Sequence, residues 1–246
     1  MASFWEKITV DGVEMDMYAS VPSSSAGFSA PYPAVVVAQH ATGVDEFIQE
    51  ICDRLAAEGY AAVAPNLYHR HSEEAIAASA NGGPRPAPGA LLSDPDIVAD
   101  MNAAMDWLRN HDAVQSDRIG VTGFCMGGRV AWLAAATNSN FKAVAPYYGG
   151  NLMTTWGAGQ TPPFDIADKI NCPMLFHFGE IDANPSQEDL KKLDAELTRL
   201  GKAHTFYTYP GADHAFMNPA GGRYNEDAAV TSWPRTLEFF AQHLKA

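Results

Sequence analysis

A chain of 246 residues, 47% hydrophobic and 18% charged, is long enough to bury roughly three quarters of its unfolded surface as a single domain, 1–246, and too apolar to remain disordered. Its formal net charge of −13, from 16 basic and 29 acidic residues without a basic cluster, argues against a nucleic-acid partner, because phosphate binding needs grouped Lys and Arg. Three cysteines at no metal-like spacing, no signal-peptide pattern and no apolar run near the roughly 18 residues that span a membrane lead to the expectation of a cytoplasmic protein without a membrane partner.

Alternating residues over 4–10 and 13–19 flank Asp11-Gly12, a strong signal for a β-hairpin. A Ser-rich loop at Ser23-Ser24-Ser25 leads to 33–38, a continuous apolar run typical of a strand covered on both faces. Helical spacing over 45–58 puts Phe47, Ile48, Ile51, Leu55 and Ala56 on one side, and Gly59 ends it. A strand over 60–65 follows. The stretch 82–89, rich in Gly and Pro, has no periodicity and reads as a loop between short helical pieces. An amphipathic helix over 96–110 precedes a strand over 118–122, and buried strands follow at 141–147 and 174–178. A helix over 187–200 ends at Gly201, a strand covers 203–209, and the last helix, 226–244, should be bent or split by Pro234. Alternating strands and helices after an antiparallel hairpin indicate an α/β fold, with a mostly parallel, doubly wound sheet carrying helices on both faces.

Between the strand at 118–122 and the helical run from Arg129 lies Gly123-Phe124-Cys125-Met126-Gly127-Gly128. Strand, sharp turn, nucleophile and helix are the context of a nucleophile elbow, usually G-x-S-x-G, with cysteine here in place of serine. A helix starting at Cys125 aims free N–H groups and its positive dipole end at the thiol. Cys52 falls in a helical pattern and Cys172 precedes Pro173 at a strand start, so both read as core residues. Two further strand ends supply an acid and a base: Asp182 in Gly179-Glu180-Ile181-Asp182, and His214 in Pro210-Gly211-Ala212-Asp213-His214. Nucleophile, acid and histidine in this chain order match the triads of α/β-hydrolases. His214 would take the thiol proton and return it to a leaving group, and Asp182 would fix the imidazole tautomer, with Glu180 and Asp213 as local competitors. The eight histidines show no paired metal spacing, so neither a metal nor another cofactor is expected.

These three segments, together with Arg223-Tyr224 and Trp233-Pro234-Arg235-Thr236-Leu237, resemble the dienelactone hydrolase family over nearly the whole chain. The resemblance implies an α/β-hydrolase fold and a Cys125-His214-Asp182 triad that opens small-molecule esters or lactones through a thioester. It also implies an oxyanion hole from the backbone N–H of Met126 and of Ala41, in the loop Gln39-His40-Ala41-Thr42-Gly43. Two departures stand out. Where the best-known members carry a glutamate after the glutamine, this chain has His40, which either braces the oxyanion loop or assists the thiol directly. Members acting on dienelactone bind its carboxylate with arginines, one shortly after the histidine; the corresponding Phe216-Met217-Asn218 has none. Arg70, Arg85 and Arg223 are the alternative charges, and Tyr147, Tyr148, Trp156 and Phe216 are the candidates for an apolar pocket wall. A monomer or small homo-oligomer is expected. Competing readings are a cysteine-elbow redox or deglycase-type enzyme and a ligand-binding pseudo-enzyme.

Overall fold

A computed structural model describes residues 1–23, 27–83 and 85–245; Ser24 and Ser25 of the Ser-rich loop, and Pro84 of the Gly/Pro-rich loop, lie outside the described residues. Strands β1 (Ala2–Val10) and β2 (Val13–Val21) pair antiparallel. Asp11 and Gly12 between them have φ of 50° and 80°, the left-handed pair that a tight hairpin turn requires. The remaining strands are β3 (Tyr32–Ala38), β4 (Ala61–Pro65), β5 (Val114–Phe124), β6 (Phe141–Tyr147), β7 (Met174–Gly179) and β8 (His204–Tyr209). All eight form one sheet in the order β1-β2-β4-β3-β5-β6-β7-β8. β2 meets β4 antiparallel, and from β4 to β8 every pairing is parallel.

The continuous apolar run of β3 is explained by two-sided burial. Ala34, Val36 and Ala38 enter one core cluster, whereas Val35 and Val37 enter the other. The first cluster is closed by α4 (Asp94–Asn110), α5 (Met126–Thr137) and α6 (Gln187–Arg199), the second by α1 (Glu46–Ala57) and α7 (Glu226–Phe240). Asp45 caps α1 by accepting the Ile48 N–H at 3.4 Å, and Gly59, at φ 85°, turns the chain just beyond it.

Two short helices, α2 (Glu73–Ser79) and α3 (Pro88–Leu91), flank the Gly/Pro-rich loop. A 3₁₀ segment, Pro163–Lys169, was not anticipated; its first carbonyl accepts the indole N–H of Trp132 at 2.9 Å. Pro234 does not split the last helix. α7 runs through it to Phe240 and only then widens into a π turn, Ala241–Lys245. The residue four positions before the proline, Val230, is 59% exposed, so the helix loses its bond on the outer side and its buried face, Ala229, Trp233 and Phe240, stays packed.

The sheet also determines where a ligand can be held. From β3 the chain crosses to β4 on one side, and β5 lies on the other, so the loops after β3 and β5 diverge and leave a crevice between them. Those two loops carry Ala41 and Cys125.

Candidate active site

Cys125 is the residue between β5 and α5, held at φ 59° and ψ −122°, a conformation that side chains other than glycine rarely adopt. Its N–H donates to the Tyr147 carbonyl at 3.1 Å and its carbonyl accepts the Gly128 N–H at 3.0 Å, so neighbouring backbone enforces the turn. The flanking glycines are required by contact distance. A Cβ on Gly123 would collide with the Gly127 carbonyl, and one on Gly127 with the Ala38 and Gln39 carbonyls. The G-x-C-x-G spacing thus lets β5, α5 and the end of β3 meet backbone to backbone.

His214 and Asp182, from the loops after β8 and β7, join the cysteine. The His214 Nδ1–H donates to Asp182 Oδ2 at 2.9 Å, and the imidazole also hydrogen-bonds the Cys125 thiol. The second carboxylate oxygen of Asp182 accepts the Asn184 N–H at 2.8 Å, which locks the acid in orientation. Burial alone would pull the His214 pKa down, but the hydrogen bonds and charges of Asp182 and Cys125 outweigh it and raise it from 6.5 to about 9. Burial alone would push the Cys125 thiol up; the hydrogen bond and charge of His214, the Met126 N–H and the charge of Arg85 bring it below the ordinary value. Both shifts favour the thiolate–imidazolium form of the pair relative to the isolated groups. Cys52 and Cys172 behave oppositely: both are buried and pushed up, Cys172 to about 12. Glu180 is engaged elsewhere, accepting the Gly211 N–H at 2.8 Å, and Asp213 accepts the N–H of His214 itself at 2.6 Å.

Ala41, Met126, Cys125, Asp182 and His214 all line one cleft of about 530 Å³. The loop holding Ala41 is pinned twice. Tyr68 donates its hydroxyl to the Ala41 carbonyl at 3.0 Å, and the Gly43 N–H closes a turn on the His40 carbonyl at 3.0 Å. His40 is engaged by its own loop and α1: its Nε2 lies 2.6 Å from Asp45 Oδ2 and 2.8 Å from the Thr42 hydroxyl, and its ring packs on Phe47 with centroids 5.5 Å apart. That partner holds Asp45 as a low-pKa carboxylate in spite of its partial burial.

Trp156, Arg85 and Arg223 also line the cleft; Arg85 belongs to the Gly/Pro-rich loop, and Arg223 lies 3.3 Å from Asp213. The other pocket candidates lie elsewhere. Tyr147 is fully buried, its hydroxyl 2.6 Å from that of Thr236 on α7 and its ring stacked on His177. Tyr148 and Phe216 pack edge to face behind His214, with the Tyr148 ring 5.1 Å from the imidazole. All three aromatics belong to the buried cluster under α1 and α7, against which Cys125 also packs, and none of them lines the cleft. Arg70 is spent on Asp100, donating to both carboxylate oxygens at 2.8 Å.

Sequence reasoning missed Arg129 and Asp94. The fully buried Arg129 on α5 donates to both Asp94 oxygens, at 2.6 and 3.1 Å, and to the carbonyls of Asn151 and Thr154. Its guanidinium lies 4.0 Å from the Trp156 ring centroid, and Asp94 accepts the Trp156 N–H at 2.9 Å. This cluster clamps residues 151–156, one wall of the cleft, onto the helix that carries Cys125. The available signal was an arginine in an otherwise apolar helical run, since a buried cation must be paired. Among the described residues no group of three or more His, Cys, Asp or Glu could hold a metal ion, and no helix is long and apolar enough to cross a membrane.

The sequence profile of the dienelactone hydrolase family matches residues 15–244. A provisionally assigned carboxymethylenebutenolidase of Salmonella typhimurium is 35% identical over 238 residues, covering 96% of this chain and 86% of the relative. A Bradyrhizobium protein, provisionally named a 2-oxo-3-(5-oxofuran-2-ylidene)propanoate lactonase, is 30% identical over 86% of this chain and 84% of its own. The crystal structure of a provisionally assigned dienelactone hydrolase from Klebsiella pneumoniae superposes with a TM-score of 0.85 at 31% identity, over 99% of this chain and 100% of that one.

Proposed function

The chain belongs to the dienelactone hydrolase family, with an α/β-hydrolase fold, and is a hydrolase of lactones or esters; on that premise we propose that it works through a thioester on Cys125. The observation that carries the proposal is the hydrogen-bonded series Cys125–His214–Asp182 lining the cleft, with the thiol pKa lowered and the imidazole raised to about 9. The Cys125 thiolate attacks the scissile carbonyl carbon, forming the C–S bond and placing the electron pair on the carbonyl oxygen. The N–H groups of Met126 and Ala41 receive that oxyanion. Collapse breaks the C–O bond, and the leaving alkoxide takes its proton from the His214 imidazolium. A water molecule, deprotonated by the now neutral His214, then attacks the thioester; the acid departs and the thiolate and imidazolium are regenerated. Asp182 holds the imidazole tautomer throughout.

His40 serves in this scheme as a brace for the Ala41 loop through Asp45 and Thr42. Arg85 and Arg223 bring positive charge to the cleft, so an anionic substituent on the substrate would be met there even though no arginine follows His214 directly. Stoichiometric iodoacetamide at pH 7 is expected to label Cys125 alone, leaving the high-pKa, buried Cys52 and Cys172 unmodified, and to abolish p-nitrophenyl acetate cleavage. Wild-type turnover by Cys125→Ala would overturn the mechanism.

A further inference from the structure

Tyr68 lies just past the end of β4 and is buried. Its hydroxyl donates to the Ala41 carbonyl at 3.0 Å and sits 3.6 Å from Met126 Sδ. It therefore touches both residues whose N–H groups receive the oxyanion in the proposed hydrolysis. We propose that Tyr68 is a positioning residue for that reaction, holding the Ala41 N–H in its aim beside that of Met126; the assignment rests on the hydrolase reading above and adds a residue to it.

The two N–H groups are held by unequal means. Met126 opens α5, so the helix and the tight turn at Cys125 fix its backbone. Ala41 has no such support. The last register pairs of β3 are Val36 with Val63 of β4 and Ala38 with Gly123 of β5, so residue 41 lies beyond the sheet. Two bonds tie this loop sideways to the segment after β4. Gln39 Oε1 accepts the Leu67 N–H at 3.0 Å, and the Ala41 carbonyl accepts the Tyr68 hydroxyl. Among the described residues, the second is the one hydrogen bond that Ala41 makes within the protein. Its N–H is thus left for the cleft, and a carbonyl held in place fixes the rotation of that residue's backbone.

The donor is itself anchored. The Tyr68 N–H donates to Asn66 Oδ1 at 3.1 Å and the Tyr68 carbonyl accepts the His71 N–H at 2.9 Å. The Asn66 N–H in turn donates to the Asp16 carbonyl on β2 at 3.0 Å. Burial first, and then the charge of Cys125, push the Tyr68 hydroxyl pKa up, so it stays protonated while the thiol ionises. The hydroxyl has one proton to give. The carbonyl oxygen is the stronger acceptor and takes it, which leaves the Met126 sulfur as a packing contact. The bond exists before any substrate arrives, and an oxyanion donor is effective when its aim is set in advance.

The test is Tyr68→Phe, which keeps the buried ring and deletes the donor. Formation and hydrolysis of the thioester both place an oxyanion between the same N–H groups. Whichever half limits, kcat for p-nitrophenyl acetate should fall about tenfold with KM within about twofold. That is short of the roughly 100-fold or more seen when an oxyanion donor is removed outright, because the Ala41 N–H remains and loses only its aim. Phenyl trifluoromethyl ketone adds the thiolate at its carbonyl carbon and leaves the electron pair on oxygen, so its inhibition constant should rise by the same factor. Alkylation of Cys125 by iodoacetamide builds no charge on oxygen, and its rate and pH profile should match the wild type within about twofold. A general structural defect would depress all three together. If Tyr68→Phe fails to fold, Asn66→Ala, which releases the Tyr68 N–H, should show the same split at about threefold. Wild-type kcat in a folded variant, or alkylation lost in step with kcat, would overturn the positioning role alone. Absence of ester cleavage by the wild type would overturn the hydrolase reading and the positioning role with it.

Discussion

Asp182→Asn isolates the contribution of the acid, because it preserves shape while removing the charge 2.9 Å from His214 Nδ1. In the native site the imidazole is raised from 6.5 to about 9 against a burial penalty that would lower it. At 1.36 kcal/mol per pH unit, that rise is worth about 3 kcal/mol in favour of imidazolium. The first contribution opposing burial is the hydrogen bond from His214 to Asp182, so losing the carboxylate should forfeit free energy of this order. About 3 kcal/mol corresponds to a loss of about 100-fold in kcat/KM for p-nitrophenyl acetate at pH 7. The thiolate loses its imidazolium partner at the same time, so the pH dependence of Cys125 alkylation by iodoacetamide should move to higher pH. Stability should report the same change. A histidine raised by its partner stabilises the fold fully below about 6.5 and loses that contribution as pH rises through about 9. The melting-temperature gap between wild type and Asp182→Asn should therefore be widest near pH 6, at about 6–12 °C, and close above pH 9. An alkylation profile that overlays the wild type, together with kcat/KM within threefold, would refute the reasoning.

Gly127→Ala should be poorly tolerated, because its Cβ would press on the Ala38 and Gln39 carbonyls, which are backbone and cannot rotate aside. A cost of about 1–3 kcal/mol by urea unfolding, with activity lost beyond that expected from the fraction unfolded, is the expected result. Arg129→Leu strands the buried Asp94 carboxylate and should cost about 3–5 kcal/mol, measured by urea denaturation. The double replacement Arg129→Leu with Asp94→Leu should recover part of that loss while leaving the Trp156 wall displaced, visible as raised KM.

Much of the fold could be read from the chain because its signals are local. Asp11-Gly12 must adopt left-handed backbone, and the apolar run 33–38 has no polar residue to expose, so hairpin and central strand follow from adjacent residues. At Pro234 the local signal allowed a bend or a split, and the split does not occur. Its local cost is real, but the packed face of α7 against the sheet carries the helix through it. The candidate site divided in the same way. Cys125, Asp182 and His214 could be named because each stands beyond the end of a strand, and parallel strands bring their carboxyl ends to one edge. Strand ends alone do not say which way a side chain turns. Tyr147, Tyr148 and Phe216 turn into the core under α7, His40 turns to Asp45, and Arg70 is drawn to Asp100.

By itself, then, the sequence determined the order of elements, the elbow with its obligatory glycines, and the three residues of the proposed triad. Only the tertiary structure decided the surroundings of that triad. The pKa shifts of Cys125 and His214 and the Arg129–Asp94 clamp all arise between residues far apart in the chain. Burial and charge act through distance in space, and no pattern of neighbouring residues encodes that distance.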